Sequence, residues 1–265
     1  MEIIDITLYS MLLVFLLLAV PVILSRIYGL GLVRPLLISA GRMTIQLGLI
    51  GLFFKYLFLW NNTFINIIWL SFMILVAVFS VIRSSSMKLS KFLLPVFISF
   101  MAATFSVIFY INVFVIELNY IFDARYLIVL GGMLLGNSLR GNIIGVDTFY
   151  KNIRKDAKKY RYILSLGATQ QEAVLPYIKE SVLLALKPTI ASMATIGIVA
   201  LPGMMTGVIL GGASPEVAIK YQIMIMIAIT VSTMISVLLT ILMTSRVCFT
   251  KFGTLRADIF VNNKA

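Results

Sequence analysis

Residues 197–207 read Gly-Ile-Val-Ala-Leu-Pro-Gly-Met-Met-Thr-Gly and set two thioethers beside a proline–glycine pair in an apolar stretch. Pro202 has no N–H, so a helix here would leave the Ile198 carbonyl without its partner, and Gly203 loosens the same turn. Broken backbone is tolerated in a membrane where it is buried or lines a cavity. Met204 and Met205 would give such a cavity soft, polarizable sulfur able to bind softer transition metals. Helical spacing puts Met193, Gly197, Ala200 and Met204 on one face. With 14 methionines in the chain, plain packing against neighbouring helices is the competing explanation. A second stripe comprises Gln222, Met226, Thr230, Thr233, Thr240 and Thr244. Such groups either line a polar pathway or bond back to their own helix and bridge to a neighbour. Gln46, Asn112 and Asn137 are further polar groups expected to be buried. The expected translocation pathway is therefore Gln46, Asn137, Pro202, Gly203, Thr206, Gln222, Thr230 and Thr233, with Met204 and Met205 as metal contacts.

Other chemistries are excluded by count. The chain has no histidine and one cysteine, Cys248, which rules out disulfide frameworks, Cys/His metal sites and triads with a His base. No acid/base pair or nucleophile–base set is visible, so the chain is not expected to be an enzyme. No Asp or Glu sits at the centre of an apolar run, which argues against a proton-coupled carrier, although sodium can be held by carbonyl and hydroxyl oxygens alone. There is no G-x-x-x-x-G-K-[ST] phosphate loop. The chain is expected to bind no cofactor of its own; ATP and magnesium, if used, belong to another polypeptide.

The elements that must position these residues are membrane helices. Hydrophobic residues make up 61% of the chain, charged residues 12%, and mean hydropathy is +1.05, values outside the range of soluble domains. Seven spans are expected, at roughly 6–25, 41–60, 63–82, 92–116, 124–144, 187–210 and 217–244, each long enough for a hydrocarbon core of ~30 Å. The net charge of +12 would suggest nucleic acid in a soluble protein, but the basic residues cluster in alternate loops. Arg26, Arg34 and Arg42 form one group; Arg83, Lys88 and Lys91 a second; Lys151, Arg154, Lys155, Lys158, Lys159 and Arg161 a third; Arg246, Lys251, Arg256 and Lys264 a fourth. All four fall on one side only with the N-terminus outside and the C-terminus cytoplasmic. The first run follows Glu2 and Asp5 rather than a basic region, so it reads as a retained span. The whole chain, 1–265, reads as a single polytopic domain of the cell membrane with lipid, not nucleic acid, around it. Arg26–Gly41 is amphipathic but interrupted by Gly29, Gly31 and Pro35; an interfacial elbow helix and a plain connecting loop both fit.

The polar segment at about 150–186 is the cytoplasmic loop between spans five and six. Ile153, Ala157, Tyr160 and Leu164 recur at three and four residues, one face of a helix that extends span five. Gly167 supplies a helix stop, and Thr169 with Glu172 has the spacing of a capping box. A second helix follows through Val174, Ile178 and Val182, bent near Pro176, and Lys187-Pro188 marks the entry to span six. A loop that needed only charge would not need paired caps. Leu166, Gly167, Ala168, Thr169 and Glu172 therefore form a rigid knob for another protein, the expected docking point of an ATPase subunit.

Four segments together resemble one family: Arg42-Met-Thr-Ile-Gln-Leu-Gly-Leu-Ile-Gly, Gly136-Asn-Ser, Leu166-Gly-Ala-Thr with Glu172-Ala173, and Leu201-Pro-Gly-Met-Met-Thr-Gly with Ile209-Leu-Gly-Gly. Tyr221-Gln-Ile follows. The chain is identified as a member of the FetB-type (YbbM-like) permeases of iron-exporting ABC transporters, related to plant aluminium-tolerance permeases. Leu-Gly-Ala-Thr also matches the end of the cytoplasmic loop shared by ABC permeases, whose acidic and alanine start is replaced here by Arg161-Tyr162-Ile163. Val208 stands where the family pattern carries Gln. The resemblance implies a permease homodimer bound to two copies of a separate ATPase, exporting a metal ion, with iron favoured. A stand-alone ion-coupled carrier or channel is the alternative.

Overall fold

The structure is a computed structural model that describes residues 7–85, 87–199, 201–250, 252–256 and 259–260. Glu2, Asp5, Ala200, Lys251 and Lys264, on which parts of the sequence reading rest, lie outside these residues. The described chain is α-helical, in the order α1 (Leu8–Leu16), α2 (Ala19–Ile27), α3 (Val33–Trp60), α4 (Thr63–Ser84), α5 (Leu89–Tyr110, continued by a π-helical turn Ile111–Val115), α6 (Ala124–Lys155), α7 (Ala157–Ser165), α8 (Gln170–Thr195), α9 (Gly203–Leu210) and α10 (Pro215–Cys248). The interrupted segment at 26–41 forms neither a separate elbow helix nor a long loop. Its ends join α2 and α3, and the short turn between them is tied by the Leu32 N–H donating to Ser25 Oγ at 3.0 Å.

Helices α4, α5, α6, α8 and α10 make the packed core, with Leu70, Phe100, Leu134, Phe149, Val237 and Ile241 almost fully buried. In contrast, none of the most apolar stretch of α3 is buried within the chain. The outer ends of α3, α4 and α6 are tied by Asn61, whose Oδ1 accepts the Ala124 N–H at 2.8 Å and whose Nδ2 donates to Asp123 at 2.9 Å.

Among the described residues, six helical stretches are long and apolar enough to cross a membrane, not seven. The expected span at 187–210 is instead the end of α8, non-helical residues at 196–199 and 201–202, and the short α9. The chain nevertheless returns along the same helices. Ser138–Ser232, Asn142–Ser236 and Tyr150–Thr244 are each 94 residues apart, so α6 and α10 lie side by side pointing the same way. Gly141 lies beside Ala185 and Gly145 beside Ser181, so α8 runs antiparallel to α6 and carries the chain back between them. The expected bend at Pro176 does not divide this return: α8 is one helix with Pro176 and Pro188 inside it.

After α10 the chain folds into a strap beneath the core. Tyr160 OH donates to the Gly253 carbonyl at 2.7 Å, the Lys88 N–H donates to the Ile259 carbonyl at 2.9 Å, and Arg154 lies 5.0 Å over the Phe260 ring.

The expected orientation has a direct check. Cysteines at Asn119 and Ser214, both exposed in outer turns, should react with an impermeant maleimide in intact cells, and one at the exposed Lys158 only after lysis. Labelling at 158 in intact cells would invert the orientation. Asn61 is a poor reporter because its side chain holds three helices together.

Candidate functional site

The knob is built as its residues dictate. Helix α7 stops at Leu166, and Gly167 takes φ +94°, a left-handed conformation that suits glycine. Thr169 Oγ1 then accepts the Glu172 N–H at 3.3 Å while Glu172 Oε2 accepts the Thr169 N–H at 2.8 Å, completing the capping box. The Thr169 N–H, with the Thr169 hydroxyl that donates to the same Oε2 at 2.8 Å, holds the Glu172 carboxyl below its usual range. Leu166 is 70% exposed at the tip and Tyr162 is 64% exposed on the preceding turn. Behind them Tyr160 is buried against Phe249 and Tyr177, and burial pushes its phenol up to about 12.

A cavity of about 590 Å³ opens where α6, α8, α9 and α10 converge. Of the residues expected to form the pathway, Asn137, Pro202 and Gln222 line it, and so does Met204. The others stand elsewhere. Gln46 is exposed on α3 rather than buried, Gly203 starts α9 without lining the cavity, and Met205 does not line it. Thr206 turns back to the Pro202 carbonyl at 3.1 Å, and Thr230 lies 2.8 Å from the Met226 carbonyl and 3.1 Å from Met193 Sδ. Thr233 is fully buried in the α6–α10 seam beside Gly141. Asn112, buried as expected, serves the outer loop by donating to the Ile121 carbonyl at 2.8 Å.

The break itself comes earlier than the proline suggests. Helix α8 ends at Thr195, Gly197 takes φ +86°, and Pro202 is the N-cap of α9. The expected common face of Met193, Gly197 and Met204 is therefore cut, because its residues belong to two helices. The end of α8 lies at the cavity wall with Ser192, Thr195 and Ile196, where the Ser192 and Thr195 carbonyls accept the N–H groups of Ile196 and Val199 at 2.9 Å. Thioethers reach this space from three helices: Met133 on α6, Met204 on α9 and Met226 on α10. Among the described residues, no three His, Cys, Asp or Glu side chains come together, so sulfur, amide and hydroxyl groups are the donors on offer.

Two features escaped the sequence reading. Arg140 lines the cavity, and none of the lining residues is acidic. A divalent cation held about 6 Å from the guanidinium would be repelled by about 5 kcal/mol at an effective dielectric of about 20, before water in the cavity screens it. Gln222 is 7% exposed, and its Oε1 has no hydrogen-bond partner. A buried acceptor left in that state is costly unless something fills the space beside it. Arg140 follows Gly136-Asn137-Ser138 in one helix, so a charge close behind a polar run in an apolar helix was the available signal.

The model of the family described as "Uncharacterised protein family (UPF0014)" matches residues 8–249. The chain belongs to that family. Its similarity to the "Probable iron export permease protein FetB" of Escherichia coli (strain K12) is 33% identity over 226 residues, covering 83% of this chain and 84% of that protein. It is 32% identical to "Protein ALUMINUM SENSITIVE 3" of Arabidopsis thaliana over 77% of this chain and 74% of that one. It is 29% identical to the "UPF0014 membrane protein YjkA" of Bacillus subtilis (strain 168), over 82% and 84%. No solved structure matches. This UPF0014 protein is a multi-pass helical membrane permease, and the cavity and knob are features of that permease.

Proposed function

We propose that the chain is the membrane subunit of an ABC exporter that moves a metal ion, iron favoured, with ATP and magnesium handled by a separate ATPase. The observation that carries this reading is α8. One uninterrupted helix, about 39 Å long at ~1.5 Å per residue, runs from the capped knob at Thr169 to the cavity wall at Thr195. A force applied at Leu166–Glu172 is thereby delivered to the broken backbone that bounds the cavity. The basic surface of α6 and α7 around the knob, with Lys155, Lys158, Lys159 and Arg161, suits an acidic docking groove. Two permeases with two ATPases complete the assembly, and the lipid-facing α3 leaves ample surface for a second copy. The name of the Escherichia coli relative adds iron export as the cargo, and the three thioethers are compatible with a soft or borderline cation.

The test is ATP-dependent metal efflux in vesicles holding the permease with its ATPase. Met204→Leu should lower efflux several-fold, since it removes a cavity sulfur at a stability cost of under ~1.5 kcal/mol. Met205→Leu, away from the cavity, should transport as the parent does. Equal loss in both variants, or none in either, would assign these methionines to packing. Efflux independent of ATP would remove the exporter reading itself.

A further inference from the structure

Arg140 is exposed and lines the cavity on α6, a helix long and apolar enough to cross a membrane, and charges within such segments are costly and kept for a purpose. It stands about 24 Å along α6 from the helix's outer end, counting ~1.5 Å per residue. An arginine at this depth could simply extend to the headgroups from a lipid-facing position. Its position on α6 argues otherwise. Asn137 and Ile144, a turn before and after it, line the same cavity as the exposed Arg140, so the cavity borders this side of α6. Among the described residues, Arg140 has no acidic side chain in ion-pair reach and no carboxylate on the cavity wall to offset it. The guanidinium is a planar donor that matches carboxylate and phosphate oxygens two at a time. One Nδ2 hydrogen of Asn137 goes to the Met133 carbonyl at 2.9 Å, and Arg140 is the one charged donor among the residues that line the cavity.

We infer that Arg140 binds an oxyanion of the cargo, a carboxylate or a phosphate, so that the cavity takes an anion or a metal already wrapped in an anionic chelate rather than a bare cation. The inference deepens the exporter reading and rests on it for direction and energy source; the chemistry of the site stands on the cavity alone.

The permease purified without its ATPase is titrated calorimetrically at low ionic strength with ferrous ion, citrate, ferric citrate and inorganic phosphate, in parent, Arg140→Gln and Arg140→Lys forms. A charge-assisted hydrogen bond is the interaction lost in Arg140→Gln, so the anionic probe that binds the parent should bind this variant at least ~10-fold more weakly. Arg140→Lys keeps the charge but not the two-at-a-time geometry and should bind between the parent and Arg140→Gln, and raising the salt should weaken the parent's binding. Tight binding of citrate or phosphate alone identifies a free anion as the source. Tight binding only of ferric citrate identifies the metal chelate. Equal binding of every anionic probe by parent and Arg140→Gln overturns the inference, as does a parent that binds ferrous ion more tightly than any anionic probe. If Arg140→Gln does not elute as a folded species, that comparison of probes on the parent decides the matter. Failure of the ATPase to associate would remove the exporter reading and leave these titrations readable.

Discussion

Gly141→Leu should leave little folded permease in detergent, and even Gly141→Ala should lower the thermal midpoint by several degrees. A Cβ added at Gly141 would overlap the Cγ2 methyl of Thr233, and one at Gly145 would stand 2.7 Å from Val237 Cγ1. Both positions also face the backbone of α8, with the Ala185 and Ser181 carbonyls each 3.7 Å from the added carbons. This Gly-x-x-x-Gly pair is where three helices approach most closely, the small-residue contact on which membrane helix packing depends. Thr233 is β-branched and buried, so its methyl cannot swing aside as a long side chain would. Overpacking of this kind costs ~1–3 kcal/mol for one added methyl, and a leucine adds three further carbons. The cause is checked by a double variant. Thr233→Ser deletes the clashing methyl and keeps a hydroxyl that has no partner in the first place. Gly141→Ala with Thr233→Ser should therefore recover most of the midpoint lost by Gly141→Ala, a coupling of ~0.5–3 kcal/mol. A parent-like midpoint in Gly141→Leu would show that α6 and α10 do not meet here.

Gly167→Pro should abolish association with the ATPase while leaving the permease in the membrane. Proline fixes φ near about −65°, which cannot meet the +94° that Gly167 adopts. It also deletes the N–H that reaches the Leu164 carbonyl at 3.1 Å, so the end of α7 and the start of α8 can no longer keep their angle. Gly167→Ala meets open space and suffers only the left-handed backbone penalty of ~1–2 kcal/mol, so it should weaken association without eliminating it. Pull-down of the ATPase by tagged permease reads both. Full recovery with Gly167→Pro would mean that the ATPase grips another part of the loop.

The sequence was most legible where the rules are local. Thr169 and Glu172 sit three residues apart and cap one helix, so the capping box could be read before any packing was known. Positions that depend on which helix lies opposite were much harder to assign. In water an apolar stripe marks the core, but in a membrane lipid and core are equally apolar, so Gln46 on exposed α3 and Thr233 in the buried seam look alike in sequence. Nothing local separates Gly136, which faces open space, from Gly131, which meets Leu70, or from Gly141 and Gly145, where three helices join. Pro202 drew attention to the broken span, yet the break begins at Gly197, because proline is well placed at a helix start and the left-handed turn had to come before it.

The strap after α10 has a consequence for assembly in the cell. Tyr160, on the helix leading into the knob, is held by the Gly253 carbonyl 93 residues downstream, and Phe249 covers the same ring. During translation the knob is thus made early and buttressed late, once α8, α9 and α10 have been synthesised. A nascent or prematurely terminated chain would present Tyr160 and its aromatic neighbours uncovered to the cytosol. The knob is therefore braced only in a chain synthesised through residue 253.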